Sequence, residues 1–283
     1  MNSLARSAAC VLLVAAASYS QETTALPIIV AGGSQFSMPV QLPDFKVEVN
    51  HEPVSVVSVV PLSGKHLRYV LIDDARIHDN WPGSTDQQIY VAKEFLKRVI
   101  SPGVDTGTLV SYGELVVLGS QNERDPRKLA SEIAADRSSP ARLYDAIFAG
   151  TGWLAKQQPR SDERKVAFLV CDGRDTGSQV GLSDVVKAMQ KASIPLFVLV
   201  PSDLEKRKEG QFMRELADQS GGRTYFLPSD RKHLTFDDLK RDLADSFLLG
   251  LNVPSEKGLL PLNITEIGHP QLSIVAPSQV FVP

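Results

Sequence analysis

Cysteine is nearly missing from this chain of 283 residues, which holds two, Cys10 and Cys171. Cys10 lies in the N-terminal apolar stretch, so a chain processed after that stretch keeps one thiol and no internal disulfide. Histidine is sparse too. The five, His51, His66, His78, His233 and His269, are scattered, with no pair at the spacing that places two ligands on one helix face. Basic charge is not in excess: 30 Lys and Arg stand against 33 Asp and Glu, for a formal charge of −3. That argues against a nucleic-acid surface, which needs clustered Lys and Arg. Beyond the N-terminus no apolar run reaches the roughly 18 residues of a membrane-spanning helix. A G-x-S-x-G elbow and a glycine-lysine phosphate loop are also missing, which removes the usual signatures of serine hydrolases and P-loop nucleotide binders.

What is present is ordinary globular material, 43% hydrophobic and 22% charged, long enough for one large or two modest domains. The first residues have a different character. Met1–Arg6 is short and positively charged, Ala8–Ala17 is apolar, and Ser18-Tyr19-Ser20 sets small residues before Gln21. This is the order of a secretory signal peptide over residues 1–20, and it predicts export to the periplasm or the extracellular space, with no membrane span in the mature chain.

Residues 21–64 read as a β-rich extension. Phe45-Lys46-Val47-Glu48-Val49 alternates with period two, Asn50-His51-Glu52-Pro53 reads as a turn, and Val54–Leu62 is strand-like. The leading Ala31-Gly32-Gly33-Ser34 reads as flexible. From residue 65 to 252 strands alternate with helices. The predicted strands are Leu67–Asp73, Thr106–Tyr112, Glu114–Leu118, Lys165–Cys171, Pro195–Val200 and Arg223–Phe226. The predicted helices are Thr85–Ile100, Pro126–Ala135, Ala141–Lys156, Leu182–Ala192, Glu209–Gln219 and Phe236–Phe247. That alternation implies an α/β fold with a doubly wound, mostly parallel sheet flanked by helices. The hairpin at Gly113 makes one strand an antiparallel edge. Residues 253–283 form a β tail, with strands Leu260–Glu266 and Leu272–Val282. The terminal β-segments are too short to stand alone and are expected to pair with each other.

Two buried strands end in acid, at Asp73-Asp74 and at Asp172. In an open α/β sheet the carboxyl edge is where sites lie, so both acids are expected at one rim. Three chemistries compete there. Dinucleotide binding needs a glycine-rich turn after the first strand, and Asp73-Asp74-Ala75-Arg76 is acidic and glycine-free. A metal-dependent phosphoryl-transfer hydrolase with Asp73 as nucleophile fits the position. Enzymes of the haloacid dehalogenase type carry a second Asp two residues on, where this chain has Ala75, and Asp172 with Asp175 would have to hold the magnesium. The third chemistry is a metal-dependent adhesion site, in which carboxylate and hydroxyl oxygens hold a hard divalent cation with one position open to a partner's acidic group. Cys171, at a strand end, reads as a small buried hydrophobe and not a reactive thiol.

Several stretches, taken in order, resemble the von Willebrand factor type A domain, in the exported bacterial subgroup called VWFA-related. They are Tyr69-Val70-Leu71-Ile72-Asp73-Asp74-Ala75, Arg142-Leu143-Tyr144-Asp145-Ala146-Ile147, and Phe168-Leu169-Val170-Cys171-Asp172-Gly173-Arg174-Asp175-Thr176-Gly177-Ser178. Leu216–Arg223, Phe247–Pro254 and the preceding Leu42–Val60 resemble the family as well. The resemblance implies a protein-interaction or adhesion module with a magnesium or manganese site. Carried over residue by residue, Asp73 and Asp172 match the two acids. Ala75 and Ile77 stand where the family has serines, and Ala141 where it has a threonine. Asp74, Asp79 or Ser139 would replace them only by a shift of register. Arg76 and Arg142 are placed to neutralise the carboxylates, and Asp175 joins Asp74, Arg76, Ser139 and Arg142 as a rim contact. The expectation is a remnant metal site without a cofactor, no catalytic residue, and a protein partner that the sequence does not name. An envelope assembly component that binds neighbours by strand addition through its terminal β-segments is the remaining alternative.

Overall fold

A computed structural model describes residues 23–31, 44–76, 86–135, 140–158, 160–228, 230–253, 256–266 and 272–283. The signal-peptide stretch 1–20, the 32–34 lead, Ile77, Asp79, Thr85 and Ser139 lie outside the described residues. Four strands come first: β1 (Thr23–Ala31), β2 (Phe45–Val49), β3 (Glu52–Val54) and β4 (Val56–Pro61). The α/β unit follows with β5 (His66–Asp74), α1 (Asp86–Arg98), β6 (Thr106–Tyr112), β7 (Val116–Leu118), α2 (Pro126–Glu132) and α3 (Leu143–Lys156). It continues through β8 (Glu163–Val170), α4 (Leu182–Lys191), β9 (Leu196–Pro201), α5 (Lys208–Ser220), β10 (Arg223–Leu227) and α6 (Asp237–Ala244). The chain closes with β11 (Ser246–Asn252), β12 (Gly258–Glu266), β13 (Ser273–Val275) and β14 (Gln279–Val282).

The central sheet has six strands in the order β10-β9-β8-β5-β6-β7. Every neighbouring pair is parallel except β6 and β7, which form the antiparallel edge. This is the doubly wound, mostly parallel α/β sheet that the alternation of elements implies. Strand order reverses between β5 and β8, so the carboxyl ends of these two strands flank the switch-point crevice. Side chains of β5 alternate between two cores. Val70 and Ile72 pack under α3 and α4, while Tyr69 and Leu71 pack under α1 and α2. Burial on both faces explains the continuous apolar run, and each large side chain contributes roughly 1.5–3 kcal/mol by leaving water.

The terminal segments pair with each other as two further four-stranded sheets, β13-β1-β11-β4 and β14-β12-β2-β3. Their facing sides share a third core. Leu26, Ile28, Val30 and Leu249 of one sheet meet Val47, Val49, Leu262 and Val280 of the other. Ile29, on the opposite side of β1, packs instead into the α1 core. The sandwich is thus fused to the α/β unit through both faces of one strand. Gly221 ends α5 with φ +82°, and a Cβ there would stand 2.1 Å from the Pro27 carbonyl oxygen, so only glycine permits this approach of β1. Two side chains tie the same seam: the Ser193 hydroxyl donates to the Ala25 carbonyl, and the Gln190 amide to the carbonyls of Gln219 and Gln279.

The terminal segments differ from the sequence reading: the stretch read as one strand over Leu272–Val282 is two strands, β13 and β14, in different sheets, and Glu52-Pro53 of the expected turn lie in β3. The helix read over Phe236–Phe247 stops at Ala244, and Ser246–Asn252 is a strand inside the sandwich. Its signal is the alternation of Phe247, Leu249 and Leu251, all buried in the third core. β1 (Thr23–Ala31) is a strand that the sequence pattern does not announce. Pro27 weakens the strand pattern there, yet β13 pairs only with Ile29–Ala31, so Pro27 sits where β1 has a single neighbour.

Candidate functional site

Because strand side chains alternate, Asp73 and Asp74 leave the end of β5 on opposite faces. Asp74 continues the face of Val70 and Ile72, and Asp73 the face of Tyr69 and Leu71. The rim that forms beside Asp172 therefore uses Asp74. Arg76 seats its guanidinium there. Its Nε donates to Asp74 Oδ1 at 2.9 Å, and one terminal nitrogen donates to Asp74 Oδ2 at 2.7 Å and to Asp172 Oδ1 at 3.1 Å. The Arg76 amide also donates to Asp74 Oδ1, which fixes the turn after the strand. Two paired N–H···O bonds to one carboxylate give the planar fork geometry in which arginine is strongest.

Tyr112, at the end of β6 and opposite Asp74 in register, donates its hydroxyl to Asp74 Oδ2 at 3.2 Å. Burial, then the charge of Asp74, pushes its phenol well up, so it stays a donor. Burial works against the Arg76 charge, but the hydrogen bond and charge of Asp74, then the charge of Asp172, outweigh it and hold the guanidinium protonated. Asp172 further accepts from the Arg174 amide at 3.0 Å, with the Arg174 side chain 3.6 Å away. Cys171 is buried against Met213, sulfur to sulfur 3.6 Å, and burial raises its thiol well above the ordinary range, so it packs and does not react.

Asp73 is wholly buried, and neither carboxylate oxygen has a hydrogen-bond partner among the described residues. Burial, then the neighbouring charge of Asp74, raises its carboxyl well above the ordinary value; the charge of Lys93 on α1 pulls the other way without cancelling this.

The other residues singled out in the sequence take structural roles. Asp175 Oδ1 accepts from the Leu143 amide at 2.9 Å and from the Ser178 hydroxyl at 2.5 Å. Ser178 Oγ accepts from the amides of Tyr144 and Asp145 at 3.0 and 3.2 Å. Together they cap α3, whose own N-cap residue, Arg142, offers no side-chain bond. Asp145 returns the favour by accepting from the amides of Gln179 and Val180. Ala141 is buried, and its backbone is stitched to Thr176 and Gly177. Arg142 pairs with Asp145 at 3.6 Å. Asp175→Ala should lower stability by about 1 kcal/mol through loss of the α3 cap, measured by urea denaturation, with Asp175→Asn losing less.

A hard divalent cation at this rim would need several oxygens facing one point. Asp73 projects to the other face, Ala75 and Ala141 bring no side-chain oxygen, and the facing oxygens of Asp74 and Asp172 are held by Arg76. Among the described residues these side chains do not bring the oxygens such an ion needs, and no group of three or more His, Cys, Asp or Glu is placed to hold one. The sequence reading missed Tyr112. Its one signal was that Thr106–Tyr112 ends in a polar aromatic beside the acidic strand end.

No protein-family model matches this chain, and neither does any curated protein sequence. Solved structures are similar at low identity. One is proximal thread matrix protein 1 from the mussel byssus, described with a zinc-occupied MIDAS motif, at 15% identity and TM-score 0.49, covering 68% of this chain and 48% of that one. Another is an aerotolerance-related membrane protein from Bacteroides fragilis, at 12% identity and TM-score 0.46, covering 64% of this chain and 98% of that one. A third is the D319A mutant of the PilB minor pilin from Streptococcus sanguinis, at 11% identity and TM-score 0.46, covering 64% of this chain and 62% of that one. This chain spans about half the length of the mussel protein it matches.

Proposed function

We propose that this chain is an exported protein-interaction module of the von Willebrand A type whose rim works without a metal ion. The observation that carries this is Arg76, whose guanidinium bridges Asp74 and Asp172 in the crevice where the resemblance places a cation. The strand order, with its single antiparallel edge beside β6, supports the domain type. Export rests on the N-terminal n-region, h-region and cleavage order. Among the described residues no helix is long and apolar enough to cross a membrane.

The hydrolase reading fares worse. A nucleophilic carboxylate must be ionised and must reach its substrate, whereas Asp73 is wholly buried with its carboxyl pushed toward the protonated form. Assembly by strand addition is the second reading: β1 and β2 each lie between two neighbours, so it would use the edge strands β3, β4, β13 or β14. Titration calorimetry of the mature chain with magnesium and with manganese should give no stoichiometric heat, and p-nitrophenyl phosphate should not be turned over. Tight binding abolished by Asp172→Ala would overturn the metal-free reading. Metal-dependent turnover lost in Asp73→Asn would restore the hydrolase.

A further inference from the structure

Helix α3 is apolar on both sides. Its inner face, including Ala146, Ile147, Gly150 and Leu154, packs on the sheet. Its outer face carries Phe148, Ala149 and Ala155 in the open, with Gly152 between them and nothing within 4 Å of where a Cβ on Gly152 would stand. No charged residue occurs from Phe148 to Ala155. A surface helix normally turns charged and polar residues outward, so an outward apolar face calls for something to cover it. Phe148, 41% exposed, stands at the lip of a shallow groove of about 400 Å³ that runs to Val180 and Ala188 of the α4 side and to Phe281 of β14.

We infer that this groove docks a partner protein that presents an apolar ridge flanked by carboxylates. The inference rests on the interaction reading and adds where the partner sits and what it carries. Charge decides the occupant. Lys187 and Lys191, one turn apart on α4, edge the groove against a single acid, Asp184. Lys156 closes the outer face of α3. A second copy of this chain, packed α3 on α3, would set these lysines against their equals. An acidic partner pairs with them while its apolar ridge covers Phe148, and such steering charges govern partner choice more than raw affinity.

A displayed library of random peptides, selected on the full mature chain, tests this. Selected peptides should combine apolar residues with Asp or Glu, weaken as salt rises, and lose about tenfold or more in affinity against Phe148→Asp and against Lys187→Glu/Lys191→Glu. Both variants alter exposed or rim positions, and Phe148→Ser serves in place of Phe148→Asp if its melting curve departs from wild type. Selected peptides indifferent to Phe148, or selected without acidic enrichment, would overturn the inference. Self-association of the wild type in sedimentation velocity, abolished by Phe148→Asp, would also overturn it by making a second copy the occupant. The assay is run with EDTA and with magnesium. Metal-dependent binding that still needs Phe148 would sink only the metal-free reading of the rim; metal-independent binding that ignores Phe148 would sink only the groove.

Discussion

Asp73→Asn should make the protein more stable at pH 7–8, by on the order of 1–3 kcal/mol, the cost of leaving a buried carboxylate without partners. The direction follows from proton linkage. Burial and Asp74 raise the Asp73 carboxyl well above its ordinary value of 3.8. Between that value and the raised one, the folded chain holds a proton that the unfolded chain has released. The contribution of Asp73 to stability is therefore fully present below about pH 4 and is lost as pH rises through the folded-state value. Asparagine does not titrate, so its advantage over wild type should be large at pH 8 and close to zero at pH 4. Urea denaturation of both proteins across this range measures the difference. A loss of stability at pH 8 would mean that Asp73 is ionised and has a partner in the folded protein, and an advantage independent of pH would mean that folding does not shift its carboxyl.

Arg76→Met is expected to have the opposite and larger effect. The Arg76 side chain is 10% exposed, Asp74 0% and Asp172 8%, so little solvent screening tempers the bridge. Methionine keeps the stem and removes the charge. That strips Asp74 of the charged fork and leaves it the residue-76 amide and the Tyr112 hydroxyl, while Asp172 retains Arg174. Removing one partner of a buried ion pair costs about 3–5 kcal/mol, which corresponds to a fall in Tm of roughly 10 °C for a chain of this size. Adding Asp74→Asn to Arg76→Met should recover much of the loss, because the buried charge disappears with it. An Arg76→Met protein within about 0.5 kcal/mol of wild type would place the guanidinium in solvent, where such pairs contribute little.

Much of this molecule is legible in the sequence for one reason: its central strands are buried on both faces. Val166–Val170 and Leu196–Val200 have no polar residue to confuse the pattern, and each is a strand of the parallel sheet. The fused sandwich is less legible. Ser246–Asn252 follows a helix with only Asp245 between them, so period two had to be seen within seven residues. At the rim, the sequence singled out Asp73, Asp74, Arg76 and Asp172, and the geometry brings the last three together. What no motif gives is the parity of the strand end. One residue decides which face a side chain takes, and here it sends Asp73 into the core and Asp74 to the rim. The stretch Asp175–Ser178, which carries part of the family resemblance, turns out to cap α3.

The most direct test is diffraction from crystals of the mature chain grown with manganese and measured at the metal's absorption edge. The expected map has the Arg76 guanidinium between Asp74 and Asp172, with nitrogen-to-oxygen distances near 2.7 and 3.1 Å, and no anomalous peak at the rim. An anomalous peak held by Asp172, with Arg76 displaced toward solvent, would contradict the metal-free rim outright.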